Sequence, residues 1–222
     1  MEKKLTKEKL AKTQAVIFDL DGTLIDSMSA WETVGLRYLA KYGIKAKSNL
    51  WEDLKPLTTF GVAKLFQEKY GVKKSVEEIV QGVQDIILES YEKTIEPKKG
   101  VTEFLKKLNK EGIKMAVATA TDKVCAMAVL KRLDYIKYFS GIFCCTDYET
   151  TKAESKIFDK ALEATGAQKE SVIVFEDALH AILTAKKAGY KIYAVQDDHA
   201  TKDEEAIRSL CDYYINDFTE LL

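Results

Sequence analysis

The chain has 222 residues, 46% of them hydrophobic and 31% charged, with 34 Lys and Arg against 35 Asp and Glu for a net charge of -1. That length holds one large domain or one domain with a smaller insert, and the apolar fraction excludes a disordered chain. The near-zero charge supplies no field to draw in nucleic acid or an anionic membrane, so neither is expected as a partner.

The opening MEKKLTKEKLAKTQ is charged throughout and lacks the apolar centre of a secretion signal. No segment reaches the roughly 18 apolar residues of a membrane-spanning helix. A cytoplasmic protein is expected. AVIF (15–18) then reads as a first strand buried on both faces, and it runs directly into DLDGTLIDS, which brings Asp19, Asp21 and Asp26 together with Gly22. Gly22 permits the tight turn that brings backbone amides close to a ligand.

Residues 26–97 hold only helical periodicity and the turn signals KYGIKAKSN and KYGVKKS. Trp31, Val34, Tyr38 and Tyr42 recur at helical spacing, as do Val62, Leu65, Phe66 and Lys69. An all-helical insert is predicted, returning through IEPKKG, whose proline and glycine suit a hinge.

Beyond it strands and helices alternate. VTEFLKKLNKEG puts Val101, Phe104, Leu105 and Leu108 on one helical face and stops at Gly112; SKIFDKALEATG does the same with Ile157, Phe158, Ala161 and Leu162 before Gly166. Between and after them, KMAVAT (114–119), GIFCC (141–145), VIVFE (172–176), KIYAV (191–195) and YYI (213–215) read as strands. The alternation predicts an α/β fold with a Rossmann-like, doubly wound parallel sheet over 1–25 and 98–222. The cysteines Cys125, Cys144, Cys145 and Cys211 form no C-x-x-C pair and read as small buried residues, and only His180 and His199 could join them, so no zinc site is expected.

In an open parallel sheet ligands bind beyond the carboxyl ends of the strands, where this chain carries Asp19 and Asp21, Thr119, and Glu176 with Asp177. A single carboxylate there is ordinarily a helix cap or a solvated loop residue, and Asp26 and Asp122 read that way. Three converging strand ends are a different matter, because gathered carboxylates repel unless a cation sits among them. Hard oxygen ligands sharing a shell with phosphate suit Mg²⁺. Lys152, in YETTKAESKIF, is the cation best placed to balance a phosphate, its plainer alternative being a solvated loop lysine.

These residues resemble a known family. DLDGTLIDS, supported by VIVFEDALHAI, makes nearly all the chain beyond residue 14 similar to haloacid dehalogenase superfamily phosphohydrolases with a helical cap, in the branch shared with beta-phosphoglucomutase and phosphoglycolate phosphatase. The resemblance implies that Asp19 attacks phosphorus to form an aspartyl-phosphate while Asp21 protonates the leaving oxygen and later activates water. It implies Mg²⁺ held by Asp19, the backbone carbonyl of Asp21 and Asp177, with Glu176 in support. Thr119, Ala120 and Lys152 would bind the phosphate. The family often continues its lysine as K-P-x-P-D, whereas KAESK has neither proline, and Lys156 stands as an alternative lysine.

The resemblance leaves four readings to weigh. A halide-removing dehalogenase does not need the second aspartate, so Asp21 favours phosphoryl chemistry. A non-catalytic regulator would have lost at least one of the positions found here. The mutases resembled carry a histidine in the first cap helix, where Trp31 stands, and a cap arginine for the distal phosphate, where LKPLTTFGV offers Thr58 and Thr59; the one cap arginine is Arg37, on a different helix. The expectation is therefore a phosphatase acting on a small phosphorylated metabolite, monomeric with a dimer as the alternative. Trp31, Thr58, Thr59 and Lys64 are candidates to line its pocket, and His180 reads as a structural or rim residue.

Overall fold

A computed structural model describes residues 12–55 and 57–222. Most of the charged opening run therefore lies outside the described residues. The chain divides into two compact units, parted between Asp26 and Ser27 and again between Ile95 and Glu96.

The first unit is built on six parallel strands, β1 (Ala15–Phe18), β2 (Lys114–Thr119), β3 (Ile142–Cys144), β4 (Val172–Glu176), β5 (Lys191–Val195) and β6 (Tyr213–Ile215), in the order β3-β2-β1-β4-β5-β6. β1 is central, and all four of its residues are fully buried because both sheet faces are covered. Ala15 and Ile17 face a cluster that includes Ile157, Phe158 and Ala161, and Ile182 and Ala185. Phe18 points the other way, stacked on Phe175 at 5.1 Å and edge-on to Phe104 at 6.3 Å. The continuous apolar run is thus what two-sided burial demands. Truncating Phe18 to alanine should cost about 3–5 kcal/mol.

The doubly wound sheet expected from the alternation is the one observed. One strand is shorter than expected: β3 pairs with β2 only from Ile142 to Cys144, and Cys145 opens a 3-10 turn instead of ending the strand. As the edge strand it has a partner on one side only, and the chain leaves the sheet once Thr119 ends the neighbouring strand.

The second unit is helical. It comprises α1 (Met28–Ala40), α2 (Leu50–Leu54), α3 (Thr59–Tyr70) and α4 (Val76–Lys93). Tyr38 of α1 stacks on Phe66 of α3 at 5.6 Å, while Ile79 and Ile86 of α4 are buried. Ser75 and Glu78 form a reciprocal capping box at the start of α4. Tyr42 extends the helical spacing on paper but lies beyond the end of α1 and is 46% exposed. α2, with five residues, is too short to show a period.

The remaining helices belong to the sheet unit: α5 (Val101–Lys110), α6 (Lys123–Arg132), α7 (Lys156–Thr165), α8 (Leu179–Lys187) and α9 (Glu204–Leu210). Gly166 ends α7 with φ +67°, a left-handed conformation that suits glycine. Among the described residues no helix is long and apolar enough to cross a membrane.

Candidate active site

Sheet register brings the first site residues together. Phe18 lies opposite Phe175, so Asp19, the next residue, falls beside Glu176, and its backbone N–H donates to the Phe175 carbonyl at 2.9 Å. On the other side Phe18 lies opposite Val117, so Thr119 ends β2 two residues further along.

Past Asp19 the chain closes on itself. The N–H groups of Leu24 and Ile25 both donate to the Leu20 carbonyl, at 2.9 and 3.0 Å, and the Gly22 N–H donates to the Ile25 carbonyl at 2.9 Å. Gly22 has φ +79°, and a Cβ there would stand 2.5 Å from Oδ2 of Asp177. Only glycine lets this backbone lie so close to the carboxylate. Thr23 Oγ1 donates to Asp177 Oδ1 at 3.0 Å and fixes the carboxylate from its other oxygen.

Lys152 completes the cluster. Its buried ammonium donates to Asp19 and, at 2.8 Å, to Glu176 Oε2. Lys156 instead is exposed, with Nζ donating to the Tyr148 carbonyl at 2.7 Å, so of the two lysines Lys152 is the one in the cluster. The proline-free loop delivers it through hydrogen bonds of its own: Glu154 N–H donates to the Thr151 carbonyl at 3.1 Å and Thr150 Oγ1 to Glu154 at 2.8 Å.

Three buried carboxylates, Asp19, Glu176 and Asp177, thus face one buried ammonium. The imbalance appears in their protonation. Burial first, then the charge of Glu176, raises Asp19 well above the ordinary carboxylate range despite Lys152. The same two causes push Asp177 up to about 7. Burial opposes the charge on Lys152, but Asp19 and Glu176 outweigh it and hold the ammonium above the usual lysine range. One oxygen from each of the three acids lies within 4.8 Å of the others. Hard oxygen donors with two negative charges uncompensated fit a divalent cation such as Mg²⁺.

The other expected site residues flank this cluster. Asp21 is half-buried, and its Oδ2 accepts from Thr121 Oγ1 at 2.6 Å. Thr119 is fully buried; its Oγ1 accepts from the Thr121 N–H at 3.0 Å, which leaves its own hydroxyl hydrogen to donate. Ala120, between them, is exposed. Asp122 caps α6 by accepting from the Cys125 N–H at 3.0 Å, and Asp26 is exposed. His180 is exposed on α8. The sequence assigns Thr23 and Thr121 no role, although Thr23 stands inside DLDGTLIDS beside Gly22 and Thr121 lies two residues past Thr119.

The candidates in the helical unit divide. Trp31 Nε1 donates to the Tyr91 hydroxyl at 3.1 Å, which ties it into the unit's own packing. Thr58 caps α3 by accepting from the Gly61 N–H at 3.1 Å. Thr59 and Lys64 are exposed, the lysine ammonium lying 4.9 Å over the Phe60 ring. Arg37 is engaged within the unit, donating to Ser90 Oγ at 2.6 Å with Glu89 at 3.8 Å.

A parallel sheet that gathers buried acids and a lysine beyond its carboxyl ends, around a D-x-D turn, defines a phosphohydrolase. The comparison with known proteins makes the class specific: the haloacid dehalogenase-like hydrolase family matches residues 16–195, and the chain belongs to that family. Pyrophosphatase PpaX of Halalkalibacterium halodurans is 33% identical, over 93% of this chain and 94% of that protein. A phosphorylated carbohydrates phosphatase of Thermotoga maritima is 29% identical, over 87% and 89%. Among solved structures, a Thermotoga maritima protein provisionally assigned as a beta-phosphoglucomutase superposes with a TM-score of 0.82 at 26% identity, covering 94% of this chain and 97% of that one.

Proposed function

We propose that this protein is a Mg²⁺-dependent phosphatase that hydrolyses a small phosphorylated metabolite through an aspartyl-phosphate on Asp19. The observation that carries the reading is the buried excess of three carboxylates over one ammonium at the end of the sheet, which asks for a cation and is of little use to a fold without one. Asp19, the backbone carbonyl of Asp21 and Asp177 would hold the ion, with Glu176 in support. The ion would supply positive charge to the phosphoryl oxygens as they are transferred.

The chain's own residues do the rest. A carboxylate oxygen of Asp19 attacks phosphorus, the bond from phosphorus to the ester oxygen breaks, and Asp21, oriented by Thr121, gives that oxygen its proton. Asp21 then takes a proton from water as the water attacks the aspartyl-phosphate, releasing phosphate and restoring Asp19. Lys152 balances the charge of nucleophile and phosphoryl group, and Thr119 and the Ala120 backbone bind its oxygens. Residues 26–97 serve as a cap that selects the substrate, and the enzyme works in the cytoplasm as a monomer.

The relatives' names span pyrophosphate, phosphorylated carbohydrates and phosphoglycolate, so the substrate belongs among small phosphate compounds of that kind. Purified protein screened against these compounds with Mg²⁺ should release phosphate from at least one of them and lose that activity reversibly in excess EDTA. Undiminished hydrolysis in EDTA would defeat the proposal.

The structural likeness to the protein assigned as a beta-phosphoglucomutase raises a second reading, phosphoryl transfer to a sugar hydroxyl. Arg37 argues against it: the one arginine of the helical unit lies on α1 and not in the LKPLTTFGV stretch, and its guanidinium donates to Ser90 with Glu89 at 3.8 Å. Incubation with beta-glucose 1-phosphate and catalytic 1,6-bisphosphate separates the two. Glucose 6-phosphate formed without matching phosphate release would establish the mutase instead.

A further inference from the structure

Lys98 lies on the return from the helical unit, where Pro97 bridges to Ile25 and the Lys98 N–H donates to the Leu24 carbonyl at 3.0 Å. Its side chain reaches inward. Nζ donates to the Gly22 carbonyl at 2.8 Å, to the Gln196 carbonyl at 2.6 Å and to Asp197 Oδ2 at 2.8 Å. An ammonium has three N–H donors, and here each has an acceptor. The lysine side chain is 16% exposed and that of Asp197 only 4%.

The acceptors belong to two separate loops. Gly22 follows β1 and Gln196 follows β5, and these strands are not neighbours: β4, which ends at Glu176 just before Asp177, runs between them. Lys98 therefore ties together the two loops that stand on either side of the Asp177 strand end. The Gly22 backbone is also the surface against which the Asp177 carboxylate rests, since a Cβ on that residue would lie 2.5 Å from Oδ2. A shift of the Gly22 peptide is transmitted to that carboxylate without any intervening side chain.

We propose that Lys98 is a positioning residue for the acidic cluster: by holding the Gly22 and Gln196 carbonyls at fixed distance it sets the place of Asp177, and through it the affinity for the divalent cation. The inference rests on the metal reading given above. Its basis is the bond pattern, in which two of three bonds go to backbone carbonyls of different loops on either side of the Asp177 strand end, one of them the carbonyl of Gly22, against which the Asp177 carboxylate rests.

The test uses full-length protein and free Mn²⁺, followed by its electron paramagnetic resonance signal, so that cation binding is read without turnover. Lys98→Met should weaken Mn²⁺ binding by about tenfold or more, the usual range for residues that orient metal ligands. In assays with para-nitrophenyl phosphate, kcat should fall and the Mg²⁺ concentration for half activation rise, while KM for the ester stays within about threefold. Asp197→Asn keeps the lysine and both carbonyl bonds and should leave Mn²⁺ binding within about threefold of wild type. Should Lys98→Met be insoluble, Lys98→Gln takes its place with the same expectations.

Wild-type protein that takes up no Mn²⁺ overturns the metal reading and this inference with it. Wild-type binding matched by the Lys98 variants, with only their melting temperature lowered, overturns the inference alone. So does an Asp197→Asn variant as impaired as Lys98→Met, because the charge and not the carbonyl bonds would then be what matters.

Discussion

Replacing Gly22 with alanine adds one methyl group at the point where the backbone and the Asp177 carboxylate meet. The φ of +79° is left-handed, and a residue with a Cβ adopts it at a cost of about 1–2 kcal/mol. The methyl carbon would also lie 2.5 Å from Asp177 Oδ2 and 2.8 Å from its Cγ, against 3.4 Å for ordinary contact, so something must move by about 0.9 Å. If Asp177 yields, its 3.0 Å bond from Thr23 stretches or breaks; if the loop yields, Asp21 moves with it. Displacement of about 1 Å in a catalytic constellation costs on the order of a hundredfold in rate. The variant should therefore show kcat down by about that factor and a higher Mg²⁺ requirement, with a melting temperature lower by roughly 4–8 °C for a loss of about 2 kcal/mol. Gly112→Ala is the control: φ is +73°, but nothing lies within 4 Å of its added Cβ. It shares the strain without the collision and should keep full activity. A Gly22→Ala enzyme within about threefold of wild type in kcat and in Mg²⁺ half-activation would refute the close-approach argument.

Further outcomes follow from the same geometry. Asp177 stands at about 7 in the metal-free protein, raised from 3.8, so its contribution to stability is present below about pH 4 and lost as pH rises through 7. Metal-free Asp177→Asn should accordingly be more stable than wild type at pH 8, by at most roughly 4 kcal/mol from about three pH units at 1.36 kcal/mol each, and the gap should close near pH 4; a variant no more stable at pH 8 would contradict the account in which burial, and then the charge of Glu176, raises Asp177. Cation binding must displace that proton, so Mg²⁺ affinity by calorimetry should be roughly tenfold weaker at pH 6 than at pH 8. Lys152→Met should lose about a hundredfold or more in kcat while Lys156→Met stays within about threefold, and equal losses would undo the choice between the two lysines. Thr121→Val, which removes one hydrogen bond to the Asp21 carboxylate, should lower kcat by about tenfold at nearly constant KM; an unchanged kcat would mean that Asp21 needs no such support.

The sheet and its order of elements were readable because fully buried strands leave uninterrupted apolar runs and their helices a clear 3.6-residue period. β1 and β4 each carry nothing but buried residues, and the acids lie at or directly after their ends. Strand-end logic therefore singles out Asp19, Glu176 and Asp177 from the sequence alone. The supports of those residues left no trace of that kind. Thr23 meets Asp177 across 154 residues and Thr121 meets Asp21 across 100, and no local pattern encodes such contacts. Lys98 looked like one more charge in a hinge sequence because its partners, Gly22 and Gln196, are backbone carbonyls whose positions depend on the complete sheet. The edge strand was read too long for a related reason: Cys145 is as apolar as Cys144, and pairing, not hydropathy, ended the strand.

The central claim is that Asp19 carries the phosphoryl group between substrate and water. It is tested most directly by acid quench of the enzyme during turnover of an active phosphate ester with Mg²⁺, followed by mass spectrometry of the peptide spanning the DLDGTLIDS stretch. Asp21→Asn with para-nitrophenyl phosphate is the pairing of choice, because the nitrophenolate leaves without a proton from Asp21, so attack by Asp19 proceeds while the activation of water is lost and the intermediate accumulates. The account predicts a mass gain of one phosphoryl group on that peptide, located on Asp19 by fragmentation, and none in Asp19→Asn, whose turnover should be below about a hundredth of wild type. Continued turnover by Asp19→Asn, or a phosphoryl group found on another residue, would contradict it.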